Sequence, residues 1–328
     1  MALTRHPDGH EGLAEGETSD GASTQPLYDG PMVDAHHHFW DPTRNLHPWL
    51  APGVSIPFRY GNYDSIKDPY LPDDLRRDSA GHHLSESVYV ETEWDSADPL
   101  GETRYAASLA ARHGWPHAIV AQAWLDRDDV AEVLAGQAAE PLVRSVRHKP
   151  GGPERPDKVG ATWTLMSDEI WRRGYALLER HGLHFDLQTP WWNLDEAARL
   201  ADDFPRTTIV LNHAGLPADR SDAALLAWRA HIERFAARPN TAIKISGLGL
   251  QGRPWSVDEN RRVVEEAIVA FGPARAMFAS NFPVDRLCGT YDAIMTGFKR
   301  IVAGRPAAEQ AALFCGTARR IYRTGPRA

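Results

Sequence analysis

The chain of 328 residues is 42% apolar with a net charge of −8, enough material for one large domain and no broad basic field for nucleic acid. Its two cysteines, Cys288 and Cys315, form no CxxC pair, which excludes a disulfide framework and a thiolate zinc site and leaves two buried thiols as the expectation. No run approaches the ~18 apolar residues of a membrane span, and the opening MALTRHPDGHEGLAEGETSDG lacks the basic and apolar regions of a secretory signal, so a cytoplasmic location is expected.

Residues 1–30 hold six acids, Asp8, Glu11, Glu15, Glu17, Asp20 and Asp29, against Arg5 alone. That composition predicts a disordered acidic tail, with the fold confined to residues 31–328. From residue 31, short β-type runs alternate with segments of helical periodicity. The runs lie at 32–39, 86–93, 117–125, 142–149, 183–190, 207–215, 241–249 and 276–284. Between them, DPLGETRYAASLAARHG, DDVAEVLAGQAAE, SDEIWRRGYALLERHG, NLDEAARLADDFP, SDAALLAWRAHIERFAARPN and SVDENRRVVEEAIVAFG pair polar start signals with apolar residues at helical spacing.

Two further amphipathic segments, TYDAIMTGFKRIVAG and PAAEQAALFCGTARRIYR, are expected to finish an outer ring of helices. Eight strand–helix units in about 290 residues predict an α/β fold, a (β/α)8 TIM barrel in one domain. No GxGxxG follows the first strand, which removes the dinucleotide argument for an open doubly wound sheet. Residues 41–85 read as a Pro-, Trp- and Tyr-rich loop over the barrel mouth, and residues 149–167 as a second loop at the same end.

Strand alternation puts His36 and His38 of DAHHHFW on one face and His37 on the other. Facing the axis, such an HxH pair suits a metal ion; a hydrogen-bonded histidine cluster is the competing reading. Glu91 and Glu93 share a face, with Glu93 nearer the mouth. In RSVRHK, Arg147 and Lys149 fall on one face and Arg144 and His148 on the other. An inward Arg147 can clamp a carboxylate or stabilise an oxyanion, or else form a structural ion pair with a helix acid. Lys244, a charge within the apolar AIKIS run, requires a buried partner or a ligand. Trp40, Trp191 and Trp192 fall in mouth loops where ring faces can stack on a cyclic substrate, and Gln188 is placed to contact a ring oxygen.

The segments DAHHHFWDP, VYVETEWD, GETRYAASLA, FDLQTP, IVLNHAG, AIKISGLG, MFASNFPVD and GTARRIYR follow one another in the order found in a known family. Together they make everything after residue 31 resemble the amidohydrolase-related branch of the amidohydrolase superfamily, which includes 2-pyrone-4,6-dicarboxylate lactonase and L-fuconolactonase-like enzymes. The resemblance implies a barrel hydrolase whose site gathers His36, His38 and His213, either as ligands of one divalent cation, zinc first, or as a metal-independent set. It also implies an acid on the last strand. Asn281 of ASNFP stands at that position, and an amide neither accepts a proton from water nor supplies an anionic ligand. Asp285 and Glu93 are the candidate replacements.

The expected activity is hydrolysis of a cyclic ester, a sugar lactone or a muconolactone or pyrone-type ring. The alternatives are a metal-dependent decarboxylase of an aromatic acid and a ligand-binding barrel without turnover. The expected partner is a small cyclic molecule rather than nucleic acid or membrane, with oligomerisation left open.

Overall fold

The computed structural model describes residues 26–325. Eight parallel strands pair in sequence order: β1 Met32–His37, β2 Leu84–Val90, β3 Ala118–Gln122, β4 Val143–Arg147, β5 His184–Leu187, β6 Ile209–Leu211, β7 Thr241–Ile245 and β8 Ala276–Phe278. Backbone bonds from Asn281 N to His36 O (2.8 Å) and from His38 N to Phe282 O (2.7 Å) join the first strand to the segment beyond the last. The expected TIM barrel is therefore the observed fold. The helices are α1 Pro72–Asp78, α2 Gly101–His113, α3 Val130–Ala139, α4 Glu169–Arg180, α5 Leu194–Asp203, α6 Asp222–Ala236, α7 Val257–Phe271, α8 Tyr291–Val302, α9 Ala307–Ala311 and α10 Thr317–Tyr322. No helix among the described residues is long and apolar enough to cross a membrane. Cys288 and Cys315 are both free and buried.

Alternation along the strands divides the apolar residues into two cores. Val33, Ala35, Val88, Val90, Val120, Val210, Ala242 and Met277 belong to the inner one. Tyr89, Ile119, Phe185, Ile209, Ile243 and Phe278 pack outward against helix residues such as Leu109, Leu178, Trp228 and Phe298. The expected tail falls mostly outside the described residues; within it, Tyr28 stacks on Phe314 with ring centroids 4.8 Å apart.

Three expectations require correction. The 41–85 loop contains α1, which starts at Pro72 with Asp73 and Asp74 in its first turn, a good helix opening because proline needs no donor there and the acids face the positive end of the helix dipole. The strands stop earlier than their apolar runs, as at Val90 and Leu211, because the chain turns sharply just beyond: Glu93, His213 and Asn281 have φ of 60°, 55° and 58°. Finally, the segment at 306–323 is not a single outer helix. A π-helical turn at Ala312–Gly316 interrupts it, and Cys315, Ala318, Ile321 and Tyr322 join the inner core.

Candidate active site

The first strand delivers its histidines through a bulge. Asp34 pairs with Ser87 and His37 with Tyr89, so three steps on β1 match two on β2. The extra residue resets the alternation that has Val33 and Ala35 facing in, a common device for re-aiming side chains at barrel rims. His36 and His38 then lie together, ring centroids 5.1 Å apart, while His37 packs against Phe39 at 4.4 Å. His213 reaches the same point from the turn after β6, with its ring centroid 4.5 Å from that of His36.

Burial first, and then neighbouring charges, hold all three rings well below the ordinary imidazole value, so they are neutral near pH 7. The charges acting on them include those of Arg147, Lys244 and Arg59. His38 Nδ1 lies 2.8 Å from Val90 O, which a neutral ring satisfies only as a donor, leaving Nε2 as an acceptor. His213 Nδ1 lies 2.9 Å from Ser246 Oγ. Both ring nitrogens of His36 are buried without a protein hydrogen-bond partner.

His38, His213, Asn281, Glu93, Arg147, Lys149, Gln188 and Trp40 line a single cavity of about 350 Å³. Within its walls, Arg147 bonds through Nε and Nη2 to the side chain and carbonyl of Glu91, and through Nη1 to Gln188 Oε1 at 2.9 Å. Glu91 is thus committed to Arg147. Glu93, about half exposed, keeps its carboxylate at the mouth 2.7 Å from Lys149 Nζ. His148 points the other way, accepting from Trp171 Nε1 at 3.0 Å.

The other candidates are tied up in the structure or lie outside this cavity. Lys244 is completely buried 2.6 Å from Asp186 Oδ1, which makes it an interior ion pair rather than a substrate contact. Trp40 lines the cavity beside His38, and its indole N–H, donating to the carbonyls of Ile66 and Asp68, fixes the covering loop. Trp191 packs edge-on against Trp192 and against His231 outside this cavity, while Trp192 lines a neighbouring one. Asp285 lies behind Asn281, accepting from Asn281 Nδ2 at 2.6 Å and Tyr60 Oη at 2.9 Å, and burial raises its pKa despite the nearby Arg59.

The sequence reading missed Arg59, Ser246 and the aromatic clamp of the covering loop. Arg59 lines the cavity, lies 3.6 Å from Asp285 and rests over Gly247, where a Cβ would come within 2.6 Å of both Arg59 Nη2 and His213 Nδ1. A lone arginine between Phe58 and Tyr60 in a loop carries no spacing signal. Trp49 stacks on Phe58 (centroids 5.9 Å apart) and donates to Thr92 O (2.7 Å), holding the loop to the β2 end. Glu102 of α2 fixes that end from below, accepting from Thr92 N and Oγ1 and from Tyr89 Oη at 2.6–2.7 Å.

Among the described residues, no group of three or more His, Cys, Asp or Glu side chains is arranged to hold a metal ion. The chemistry of the set agrees: three imidazoles lack an anionic partner at Asn281, and the nearby charges of Arg147, Lys244 and Arg59 would repel a dication. As arranged, the donors do not fit the zinc site that the resemblance implies.

Asn281→Asp is expected to cost about 2–3 kcal/mol at pH 7, because it replaces a charge-assisted bond with a second carboxylate against Asp285. Sharing one site raises the folded-state pKa of the pair above its unfolded value. The penalty therefore grows as pH rises through the carboxylate range and shrinks on acidification. Thermal unfolding of both proteins at pH 5 and pH 8 checks it.

A parallel barrel with histidines, a mouth carboxylate and cations at the C-terminal ends of its strands defines a barrel hydrolase site. A family described as Amidohydrolase matches residues 33–324, and the chain belongs to it. The chain is 39% identical over 302 residues to the uncharacterized protein y4mH of Sinorhizobium fredii, covering 90% of this chain and all of that one. It is 29% identical over 301 residues to an L-fucono-1,5-lactonase of Burkholderia multivorans, covering 88% and 95%. Crystal structures of an amidohydrolase from Burkholderia multivorans, one with bound HEPES and one with bound zinc, superpose with a TM-score of 0.72 at 28% identity, covering 90% of this chain and 99% of that one.

Proposed function

We propose that the protein hydrolyses a lactone, with Glu93 as general base. The observation supporting this reading most directly is that one small cavity collects Glu93, Lys149, Arg59, His38 and His213 from five separate segments. The similarity to L-fucono-1,5-lactonases over most of both chains points to the same reaction class.

Glu93 removes a proton from water as it attacks the ring carbonyl, and returns that proton to the ring oxygen as the ester bond breaks. The oxyanion formed in between is stabilised by Lys149 and Arg59, whose side chains are 38% and 30% exposed and line the cavity. Arg147, expected as an oxyanion contact, already spends Nε, Nη1 and Nη2 on Glu91 and Gln188 and serves to position them. Neutral His38, through Nε2, and His213 orient water and substrate hydroxyls; Asn281 contributes an amide to the floor. Lactone carbonyls are reactive, so only a limited acceleration is needed compared with amides.

The test is a panel of aldonolactones and aromatic-ring lactones followed by acid release. His38→Ala and His213→Ala are expected to fold while losing about 10²-fold or more in kcat/KM. Full activity in both, or release of CO2 from aromatic acids in place of lactone opening, overturns the proposal.

A further inference from the structure

A second cavity of about 700 Å³ adjoins the first, sharing Arg59 and Leu216 as common walls. It is twice the volume of the inner one. Trp192, Pro217, Leu216 and Leu250 give it apolar sides. On its wall sits Arg220, just before α6.

Arg220 is unusual among the cations here. Its Nη2 donates to Leu248 O and Asn260 Oδ1, both at 3.1 Å, while Nε and Nη1 are buried with no hydrogen-bond partner. Among the described residues, no carboxylate lies within 4.0 Å of it. Arg253, on the same cavity, is by contrast exposed and paired with Glu259 at 2.7 Å. A part-buried guanidinium that lines a cavity with no carboxylate beside it carries an uncompensated charge, which an anion held in that cavity would balance. Burial accordingly pushes Arg220 down to about 10.

We propose that the outer cavity is a second substrate subsite, which takes an arm carried outside the cleaved ring and ending in a carboxylate that docks on Arg220. This rests on the reading of the inner cavity as the place where the ring is opened. The inner volume accommodates a single small ring, and the walls that the two cavities share at Arg59 and Leu216 give an arm attached to that ring a way into the outer lobe. A carboxylate fits better than a phosphate, because Glu154 and Asp219, which line the same cavity, oppose a dianion about twice as strongly as a monoanion.

The test is calorimetric and independent of turnover. Straight-chain dicarboxylates of five to ten carbons are titrated into the whole protein beside the monocarboxylates of equal length. At least one diacid is expected to bind roughly ten-fold or more tightly than its matched monoacid. That advantage disappears in Arg220→Met. It also disappears in Ala218→Asp, which sets a competing carboxylate on the same wall while keeping the bonds of Arg220 to Leu248 and Asn260. No diacid advantage in the wild type, or an advantage that survives Ala218→Asp, overturns the subsite. Failure of lactone turnover with the Arg220-dependent advantage intact instead counts against the hydrolytic reading alone.

Discussion

Glu93→Gln is expected to lower kcat by about 10²–10⁴-fold with little change in thermal stability. The carboxylate is about half exposed, so its loss removes no core contact, and the backbone turn that aims it is fixed independently by Glu93 N donating to Glu91 Oε2 at 2.8 Å. Glutamine keeps the shape and the link to Lys149 but accepts no proton. An interaction made only in the transition state lowers kcat and kcat/KM together, whereas a binding contact raises KM alone. Wild-type turnover in Glu93→Gln would move the base to one of the imidazoles.

Lys244→Met is expected to destabilise the fold by about 3–5 kcal/mol, because it strands a charged aspartate in the barrel interior. Asp186 is fully buried, and accepts from Asn212 Nδ2 at 2.9 Å and from Tyr322 Oη at 2.9 Å on both oxygens. Burial pushes its pKa up, but the charge of Lys244 and these hydrogen bonds outweigh burial and hold it below the usual value. In the wild type the stabilisation is present above the unfolded carboxylate pKa and is lost as pH falls through the lower folded value. In Lys244→Met the sign reverses: the stranded carboxyl titrates high, and stability improves on acidification. Adding Asp186→Asn should restore a good part of the loss. Denaturant unfolding of the two single variants and the double at pH 5.5 and 8 measures the coupling directly.

The barrel was legible because its strands are short apolar runs alternating with segments of helical periodicity, and helices such as α4, opened by the Asp168 side chain accepting from Ile170 N and Trp171 N, carry their own start signals. The strand ends were harder. Glu93, His213 and Asn281 adopt positive φ without being glycine, so nothing in their residue type announces the turn that aims them. Alternation grouped His36 with His38 correctly, yet only the bulge decides that this pair, not His37, faces inward. Lys244 was recognisable as a charge needing a partner, but Asp186 is 58 positions away in the sequence and no local pattern links them. Arg59 and Arg220, both single cations in irregular segments, are placed by tertiary packing alone.

The phenol of Tyr322 that seals the base of the barrel lies 136 positions beyond the aspartate it serves. During synthesis Asp186 and Lys244 can both leave the ribosome well before their third partner exists, so the buried pair waits for α10 before Tyr322 covers it. A stall between Lys244 and Tyr322 would therefore leave the ion pair without the phenol that completes it.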